Sequence, residues 1–454
     1  MNNGDVVLAL FAPYKDFIYA IGDFNDWQVE AEYFMKRDSV SADSVVYWTR
    51  IDDLNQDEYY GFQYLIDGNL RVADPYTELV LDPWNDQYIK EATFPNMPEY
   101  PEGKTEELAG VIYNNSNEFN WTDSEYTPPK KEKLVIYECL LRDFIEEHNY
   151  QTMIDTLSYL KRLGINAIEL MPINEFEGNL SWGYNPSFYF APDKYYGSPR
   201  ALKKFVNACH EYGIAVLMDM VLNHAYGSNP MVRMYFENGK PNANSPWFNQ
   251  TAPHTDYSWG YDFDHESKHT QAFVERVNNF WVNEYHIDGY RFDFTRGFTN
   301  KQGSSSDYDA NRIKILKGIA DNMWQNDSSS FVILEHLVEG NSEMMELASY
   351  GMLLWGNMNY NYNEATMGYN ESGKSDFSWG YYGTRDWDKP NLVTYMESHD
   401  EERLMYKNLT WGNITDDGSY DITKLPVALD RMEIANTFFL TYPGPKLIWQ
   451  FGEL

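Results

Sequence analysis

The stretch Ala215-Val-Leu-Met-Asp219 decides the fold, because it joins an apolar, strand-like run to a carboxylate. Helical patterns occupy residues 150–163 and 199–212, between this run and two similar runs that precede it. Repeated strand–helix units predict a parallel sheet, and eight such units predict a closed (β/α)8 TIM barrel. The other seven strand candidates are Leu134–Leu140, Ala167–Met171, Gly289–Asp293, Phe331–Glu335, Met352–Trp355, Leu392–Met396 and Lys446–Gln450.

A different pattern precedes the barrel. Residues 1–90 contain short alternating runs separated by turns, which predicts a small β-sandwich. Residues 91–131 are rich in Pro, Asn, Glu and Gly, and we interpret them as a linker or a seam between domains. Residues 132–454 then form the barrel. The candidate strands of the sandwich are Val6–Phe11, Phe17–Ile21, Val45–Arg50 and Tyr60–Ile66.

Two features modify the barrel. The connection after the third strand, from about residue 225 to 270, is long and rich in Asn, Pro, Trp, Tyr and Asp. A connection of that length in a compact domain is usually functional, so we predict a short inserted subdomain over the barrel mouth. The chain stops at Leu454, just past the eighth strand candidate, so an eighth helix and a C-terminal domain are expected to be absent from it.

Composition restricts the partners. The chain has 35 Lys and Arg against 69 Asp and Glu, a net charge of −34, which repels nucleic acid and anionic membranes and suits a neutral substrate. No apolar run is long enough for membrane insertion. Aromatic residues make up 17% of the chain, either as core or as stacking platforms for sugar rings. Its two cysteines are expected to be buried free thiols.

Carboxylates at strand ends point to the chemistry. Functional residues of a TIM barrel lie at the carboxyl ends of its strands, so Asp293, Glu335 and Asp400 are predicted to project into one pocket. Cleavage of a glycosidic bond needs two carboxyl groups, one to protonate the leaving oxygen and one to attack the anomeric carbon or activate water. The segments that supply these groups are Asp219–His224, Gly289–Asp293, Val332–Glu335 and Met396–Asp400.

Basic side chains accompany these acids. Arg291 lies two residues before Asp293 and therefore points to the same side of its strand, where it would keep the carboxylate ionised and oriented. His224 and His399 are expected to be neutral donors to sugar hydroxyls. A capped turn could explain any one of these residues, but four such segments in order favour a functional site.

These segments resemble the conserved regions of the α-amylase family, glycoside hydrolase family 13, and the resemblance extends over about residues 132–454. Leu170–Phe176 and Trp182–Pro192 are similar to the stretches that follow the family's second strand. Ile136–Phe144 is similar to the first strand of its branching enzyme, pullulanase and trehalohydrolase members.

The resemblance implies a role for each residue. Asp293 would be the nucleophile, Glu335 the general acid/base and Asp400 the stabiliser of the transition state, in a retaining mechanism through a covalent glucosyl-Asp293 intermediate. The residues that would line the cleavage subsite are Tyr184, which would stack on the sugar, His224, Arg291 and His399.

The sequence departs from the family pattern after the nucleophile. Thr295-Arg296-Gly297 stands where α-amylases have a Lys-His pair, and Arg296 is expected to replace the Lys on the leaving-group side. The missing His removes a usual contributor to the family's calcium site, although Asn223 remains, so a structural calcium stays compatible with the sequence. No cofactor is required for the chemistry. Ser398 replaces the usual Asn, and His336 matches no subgroup.

The first domain also resembles a known module, the starch-binding-type immunoglobulin-like domain that precedes such barrels. Gly22–Trp27, Trp48, Phe62–Gly68 and Ala73–Tyr76 are the similar stretches. Trp27 or Trp48 could stack on glucan, or both could fill the core of the sandwich or its seam with the barrel.

The main functional hypothesis is an endo-acting hydrolase of α-1,4 bonds in starch or glycogen, with an α-glucan polysaccharide or oligosaccharide as partner. The alternatives are a branching enzyme or other transglycosylase, an α-1,6 debranching enzyme and a non-catalytic glucan-binding protein. Polymer substrates favour an extracellular or periplasmic location, and glycogen would favour the cytoplasm. Met1–Asp5 does not resemble a signal peptide.

Overall fold

The computed structural model describes residues 4–113, 119–254 and 256–454 of the chain. Its amino-terminal part is built from two antiparallel sheets. The strands are β1 (Val6–Phe11), β2 (Ile18–Gly22), β3 (Lys36–Ser41), β4 (Ser44–Ile51), β5 (Tyr60–Ile66), β6 (Leu70–Val72), β7 (Val80–Leu81) and β8 (Ala109–Ile112). One sheet has the order β1-β4-β3, and the other has the order β2-β5-β8-β7 with β6 paired to β5.

The boundary of this part differs from the prediction. The strand β8 pairs with both β5 and β7, although the sequence assigned its residues to a linker that begins at residue 91. The sheet therefore extends to Ile112. The sequence pattern does not predict this strand, because Ala109–Ile112 is short and lies within a stretch dominated by Pro, Glu and Gly.

Trp27 is part of the core of this domain. Its side chain is 3% exposed, and its Nε1 donates a 2.8 Å hydrogen bond to Asp23. The suggestion that Trp27 stacks on glucan is therefore wrong, because no ring face is free. Trp48 is half-buried and carries the Lys36 ammonium 4.4 Å above its ring.

The remaining strands include a closed barrel. In chain order they are β9 (Val135–Cys139), β10 (Ala167–Leu170), β11 (Asn174–Phe176), β12 (Pro186–Pro192), β13 (Ala215–Met220), β14 (His224–Ala225), β15 (Phe236–Glu237), β16 (Lys240–Pro241), β17 (Tyr261–Asp262), β18 (Gly289–Phe292), β19 (Phe331–Leu334), β20 (Leu353–Asn357), β21 (Leu392–Tyr395) and β22 (Lys446–Trp449). The closed parallel barrel has the order β9-β10-β13-β18-β19-β20-β21-β22, which confirms the predicted TIM barrel strand by strand.

Helices alternate with the barrel strands. They are α1 (Leu141–Phe144), α2 (Tyr150–Leu163), α3 (Pro199–Glu211), α4 (Pro230–Met234), α5 (Lys268–Tyr285), α6 (Ala310–Asn326), α7 (Ser342–Tyr350), α8 (Asn359–Met367), α9 (Leu404–Trp411) and α10 (Leu425–Thr441). The caps follow the local sequence: Asn149 accepts from the N–H of Thr152 at the start of α2, and Gly164 ends that helix with a φ of 94°. Among the described residues, none of these helices is long and apolar enough to cross a bilayer.

Alternate residues of each strand face the interior of the barrel, so residues two positions apart lie on the same inner face. The lower layers are apolar and form one buried cluster: Leu134, Ile136, Ala167, Ala215, Leu217, Phe331, Ile333, Leu353, Trp355, Val393, Tyr395 and Leu447. Two residues further towards the carboxyl end the same faces carry ionisable side chains. These are Glu138, Glu169, Asp219, Arg291 and Glu335, each two residues beyond Ile136, Ala167, Leu217, Gly289 and Ile333.

The chain between β13 and α5 forms an excursion inserted after the third barrel strand. Its two ends are joined because β14 pairs with β17. Between them lie α4 and the small hairpin of β15 and β16. This excursion also contacts the amino-terminal domain, since the Tyr235 hydroxyl donates a 2.7 Å hydrogen bond to the carbonyl of Pro13 and the rings of Phe11 and Trp247 are 5.7 Å apart.

The chain that enters the barrel is tied to its lower face by an acid–histidine network. Asp123 Oδ2 lies 2.8 Å from Nδ1 of both His210 and His286. The other ring nitrogen of His210 is 3.0 Å from Asp288, the residue just before β18. The end of the predicted seam is thus fixed to α3 and to the amino end of a barrel strand.

Candidate active site

Two acids lie side by side at the upper edge of the barrel. Asp293 and Glu335 each come one residue past the ends of the neighbouring parallel strands β18 and β19. The Glu335 N–H donates to the carbonyl of Phe292 at 3.0 Å, and the Asp293 N–H donates to that of Met220 at 3.1 Å. The sheet hydrogen bonds therefore extend to both acids, whose side chains are 13% and 14% exposed.

Arg291 joins these acids through a single guanidinium that is fully buried. Its Nη1 donates to Asp293 Oδ1 at 2.8 Å and to the two oxygens of Asp219 at 2.9 and 3.0 Å. Its Nη2 makes an ion-pair contact of 3.2 Å with Glu335 Oε2. The Trp355 ring, 4.1 Å from the guanidinium carbon, covers the group from the interior. The relative positions of the two acids are thus set by one planar cation.

The surroundings of Asp293 and Glu335 give the two acids different pKa values. Burial raises the pKa of Asp293 to about 6 against the opposing charge of Arg291. Burial raises the pKa of Glu335 to about 7, again opposed by Arg291 and assisted by the negative charge of Asp293. Because Glu335 Oε2 accepts a 2.7 Å hydrogen bond from the Phe294 N–H, a proton on this acid belongs on Oε1. Between these values an ionised Asp293 faces a protonated Glu335.

His399 is charged, which corrects the expectation of a neutral donor. Its Nδ1 lies 2.6 Å from Oε1 of Glu138, a fully buried residue on β9. Burial by itself lowers the pKa of His399, but the adjacent Glu138 carboxylate outweighs this effect and raises the pKa to about 9. The sequence could not reveal the charge, because the two residues are 261 positions apart. For His224 the neutral form does hold, since burial lowers its pKa.

Asp400 is not at a strand end, contrary to the prediction. It lies five residues past the end of β21 on a turn, where its N–H donates a 3.3 Å hydrogen bond to Ser398 Oγ. Its side chain is 58% exposed, far more than those of the two strand-end acids. One oxygen lies 3.4 Å from Nε2 of His399. Asp400 therefore enters the pocket from the rim, next to the imidazolium.

Tyr184 completes one wall of the pocket. Its hydroxyl donates a 2.5 Å hydrogen bond to Asp219 Oδ2, the carboxylate that also binds Arg291. Its ring stacks on His399 at a centroid distance of 5.0 Å and an angle of 20°. Its backbone carbonyl lies 2.9 Å from Nε2 of His224. The structure thus brings Tyr184, His224 and His399 together around the acids, as the resemblance implies.

Arg296 lies outside this inner group. Its guanidinium donates to the carbonyl of Leu337 at 2.8 Å and to Ser306 Oγ at 3.2 Å. It also covers the rings of Tyr257 and Phe294 at 4.8 and 5.0 Å. Arg296 is therefore bound to the segments around Ser306 and Leu337. It makes no ion pair with Asp293, Glu335 or Asp400 in the structure described.

His336 turns away from the pocket. Its side chain is fully buried, and its ring nitrogens lie 3.0 Å from Thr295 Oγ1 and 3.3 Å from Glu343 Oε1. Glu343 is also bound by Arg312, whose Nη2 and Nε are each 2.8 Å from its oxygens. His336 therefore supports the turn at Thr295.

Asn223 Oδ1 is buried and has no hydrogen-bond partner among the described residues, and it lies 2.1 Å from the point that a Cβ on Gly297 would occupy. Within residues 4–113, 119–254 and 256–454, no group of three or more His, Cys, Asp or Glu side chains is placed to hold a metal. We therefore derive no catalytic step that depends on calcium.

Three residues of the site were not predicted from the sequence because they lie within strands and not past strand ends: Glu138, Glu169 and Trp355. All three lie on interior positions, and counting in twos from Ile136, Ala167 and Leu353 would have found them. Glu169 is fully buried, and neither of its oxygens has a hydrogen-bond partner in the part of the chain that the structure describes. Burial, followed by the charges of Glu138 and Asp219, raises its pKa well above the usual range, so it is a neutral acid below the pocket.

The comparison with protein families bears on this geometry. The model of the alpha-amylase catalytic domain matches residues 113–259. The match runs from the start of the barrel through its first three strands and most of the inserted excursion, including Tyr184, Asp219 and His224. This part of the chain is therefore similar to the α-amylase catalytic domain.

The curated proteins that resemble this chain have several activities. It is 32% identical over 247 residues to the malto-oligosyltrehalose trehalohydrolase of Saccharolobus solfataricus, which is 54% of this chain and 40% of that enzyme. It is 27% identical over 300 residues to the 1,4-alpha-glucan branching enzyme of Aquifex aeolicus, or 63% of this chain and 43% of that one. The chain thus spans less than half the length of these curated relatives.

Solved structures show the same fold. The pullulanase type I of Bacillus subtilis, crystallised with maltose, superposes with a TM-score of 0.72 at 18% identity, covering 100% of this chain and 65% of the pullulanase. At this identity the likeness concerns the fold alone.

Proposed function

We propose that this chain is a retaining enzyme that cleaves α-1,4-glucosidic bonds of starch- or glycogen-like glucans by hydrolysis. The observation that carries the proposal is the Arg291 bridge, which holds Asp293 and Glu335 at adjacent strand ends with different proton affinities. Glycosidic cleavage with retention needs such a pair, one carboxylate to attack and one carboxylic acid to protonate.

The proposed reaction has two steps. In the first, Asp293 attacks the anomeric carbon with Oδ2, since Oδ1 is engaged by Arg291 at 2.8 Å, and Glu335 transfers its proton from Oε1 to the leaving oxygen. The bond to the leaving sugar breaks as the glucosyl–Asp293 ester forms. In the second step Glu335, now ionised, removes a proton from water, whose oxygen attacks the anomeric carbon and releases Asp293.

The residues around the pair would bind the sugar that is transferred. Tyr184 offers a ring for the pyranose face, and its stacking on the His399 imidazolium fixes its position. The exposed Asp400 carboxylate and the Nε2 side of His399, 3.4 Å apart, provide an acceptor and a donor for vicinal hydroxyls. Asp400 would also favour the positive charge that develops on the ring in the transition state.

A second activity is favoured by one comparison. The 32% identity to a malto-oligosyltrehalose trehalohydrolase suggests that the bond next to a terminal trehalose is the one cleaved. Both activities use the same acids and a water molecule, and they differ in the sugar bound on the leaving-group side. A branching enzyme would use the same acids but would transfer the sugar to a hydroxyl acceptor in place of water. A debranching enzyme would use them on an α-1,6 bond in place of an α-1,4 bond.

The amino-terminal domain is proposed to support the barrel and its excursion. Two contacts argue for this role: the hydrogen bond of Tyr235 to Pro13, and the ring contact of Tyr76 with Phe190 at 5.0 Å. Trp48 keeps one face under Lys36, so we assign it no glucan contact.

The products from four substrates test the proposal. We expect the protein to release reducing ends from amylose and from malto-oligosaccharides, with the α-anomer formed first in proton NMR. Free trehalose from malto-oligosyltrehalose at a higher kcat/KM would instead identify the second activity. New α-1,6 signals without reducing ends would identify branching, and maltotriose from pullulan would identify debranching. No product from any of the four substrates would overturn the proposal.

The pH dependence follows from the pKa values of Asp293 and Glu335. The rate rises as Asp293 loses its proton near pH 6 and falls as Glu335 loses its proton near pH 7, so kcat/KM is expected to be a narrow bell centred between about pH 6 and 7. With α-maltosyl fluoride, whose leaving group needs no protonation, the first step should have no alkaline limb, and Glu335→Gln should slow that step far less than it slows cleavage of malto-oligosaccharides. An optimum above pH 8 for the unmodified protein would contradict the assignment of the acid.

A further inference from the structure

A cleft lies between the helices α5 and α6, and its lining includes none of the acids described above. Its walls come from these two helices and from His265 and Glu266, which directly precede α5. The cleft has a volume of about 380 Å³. This volume is within the range of roughly 300–1,000 Å³ that small-molecule sites occupy. None of the residues that line the cleft has a part in the proposed cleavage reaction.

The cleft has an apolar surface inside it. Val274 and Met323 line it and are each 2% exposed. Ile315 and Ile319 also line it and are half-buried. These aliphatic side chains offer a surface for the C–H groups of a ligand, and most small-molecule sites combine such a surface with a few polar groups that fix orientation.

Amide side chains supply most of the polar groups of the cleft. They belong to Gln271, Asn278, Asn279, Asn311 and Asn322. Asn278 is 2% exposed, and its Oδ1 has no hydrogen-bond partner among the described residues. A buried polar atom without a partner is costly, and each amide offers one acceptor and two donors. Hydroxyl groups both donate and accept, so a ligand rich in hydroxyl groups would match this lining.

A glycine in α6 leaves room in the cleft. Gly318 lies within the helix and lines the cleft, and a Cβ added to it would have no described atom within 4 Å. Glycine inside a helix destabilises it relative to alanine. Since no contact with the described part of the chain requires a glycine here, the space in front of residue 318 is available to a ligand.

The charges of the lining favour a neutral ligand. Its charged side chains, Glu266, Glu275 and Lys314, are all exposed. His265 is buried, and burial lowers its pKa to about 4, so its ring is neutral. The described lining therefore has no buried charge to pair with an ionic ligand, and two carboxylates against one ammonium group disfavour an anion.

We propose that the cleft between α5 and α6 is a second binding site of this protein, for a neutral, hydroxyl-rich molecule of one or two sugar rings. Asn278 and the other amides would pair with its hydroxyl groups, and its C–H groups would lie on the aliphatic side chains. This site goes beyond the proposed cleavage reaction and does not depend on it.

Methyl NMR of Ile315 and Ile319 tests the site directly, because both side chains line the cleft. Glucose and maltose are titrated separately into the full-length Asp293→Asn protein, so that no catalytic step enters the measurement. We expect both methyl signals to shift and to saturate with a Kd below about 10 mM, the scale for ligands of this size. Glucose 6-phosphate, which adds negative charge to the same ring, should bind more weakly than glucose.

Two substitutions inside the cleft locate the ligand. Gly318→Leu places a side chain in the open space and should weaken binding of both sugars by at least about 10-fold. The variant should fold, because leucine is a better helix former than glycine. Asn278→Leu removes the buried amide and should weaken binding by about 5-fold, the scale for one lost hydrogen bond. As a control, Lys204→Leu adds a leucine to an exposed position of α3 and should leave each Kd unchanged.

The outcomes that would overturn the site are separate from those that bear on catalysis. Absence of saturable shifts at both isoleucines below about 10 mM would overturn it. Unchanged Kd values in Gly318→Leu or in Asn278→Leu would place the ligand elsewhere, and tighter binding of glucose 6-phosphate than of glucose would overturn the neutral class of ligand. Each of these results leaves the proposed function standing, since that function is tested by product release from the unmodified protein.

Discussion

Replacement of Asp293 by Asn is expected to reduce kcat on malto-oligosaccharides by at least about 10⁴-fold, because an amide cannot form the glucosyl ester on which both steps depend. The amide has the same shape, and its Oδ1 can still accept the hydrogen bond from Arg291 that now measures 2.8 Å. Folding should therefore be preserved. The measurement is the initial rate of reducing-end release, together with the thermal unfolding midpoint of each protein.

A matched substitution distinguishes this effect from a general loss of charge. Asp430 lies on the exposed side of α10, and Asp430→Asn should retain full activity. The Asp293→Asn protein should also still bind maltoheptaose, as followed by tryptophan fluorescence, since the stacking residues are intact. Activity within 10-fold of the unmodified protein in the Asp293→Asn variant would refute the nucleophile assignment and the retaining mechanism with it.

Replacement of Arg291 by Met is expected to lower the free energy of unfolding by about 3–5 kcal/mol, the scale for removing one partner of a buried ion pair. The guanidinium is fully buried and contacts Asp219, Asp293 and Glu335, so its loss leaves these carboxyl groups without the cation that pairs with them directly. Activity should also disappear, because the pKa of Asp293 would rise further and the acid would be protonated near neutral pH. Urea unfolding followed by tryptophan fluorescence measures the first effect.

Two further variants test the electrostatic cause. Arg162→Met changes an exposed arginine on α2 and should alter the free energy of unfolding by no more than about 0.5 kcal/mol. Adding Asp219→Asn to Arg291→Met removes one of the unpaired charges and should recover part of the lost stability without recovering activity. A single Arg291→Met protein as stable as the unmodified one would show that the carboxyl groups are not held by this cation.

The barrel could be predicted because its signals are local. Each strand is an apolar run of four to six residues, and helices such as α2 and α3 show their apolar periodicity and caps within a single stretch of sequence. Asp293 and Glu335 were found for the same reason, since each follows such a run directly. The strand β8 was missed because four residues in a Pro- and Gly-rich stretch carry too little pattern.

The charge of His399 shows what local patterns omit. Its partner Glu138 lies on the first barrel strand and meets it only because the barrel closes between β22 and β9. The exposed position of Asp400 has a similar origin, since the turn after β21 is set by Ser398 and Glu401 and not by the strand.

The sequence by itself determined the (β/α)8 architecture, the interior positions and the identity of the carboxyl groups at the strand ends, because these depend on periodicity and residue type within short stretches. Only the tertiary structure decided which acids share Arg291, which histidine is charged and how far Asp400 is exposed. The physical reason is that pKa values and stacking depend on distances between segments. The four apolar runs that end in Asp, Glu or Asn-His thus predict the carboxyl groups. Closure of the barrel then sets the protonation state of these groups.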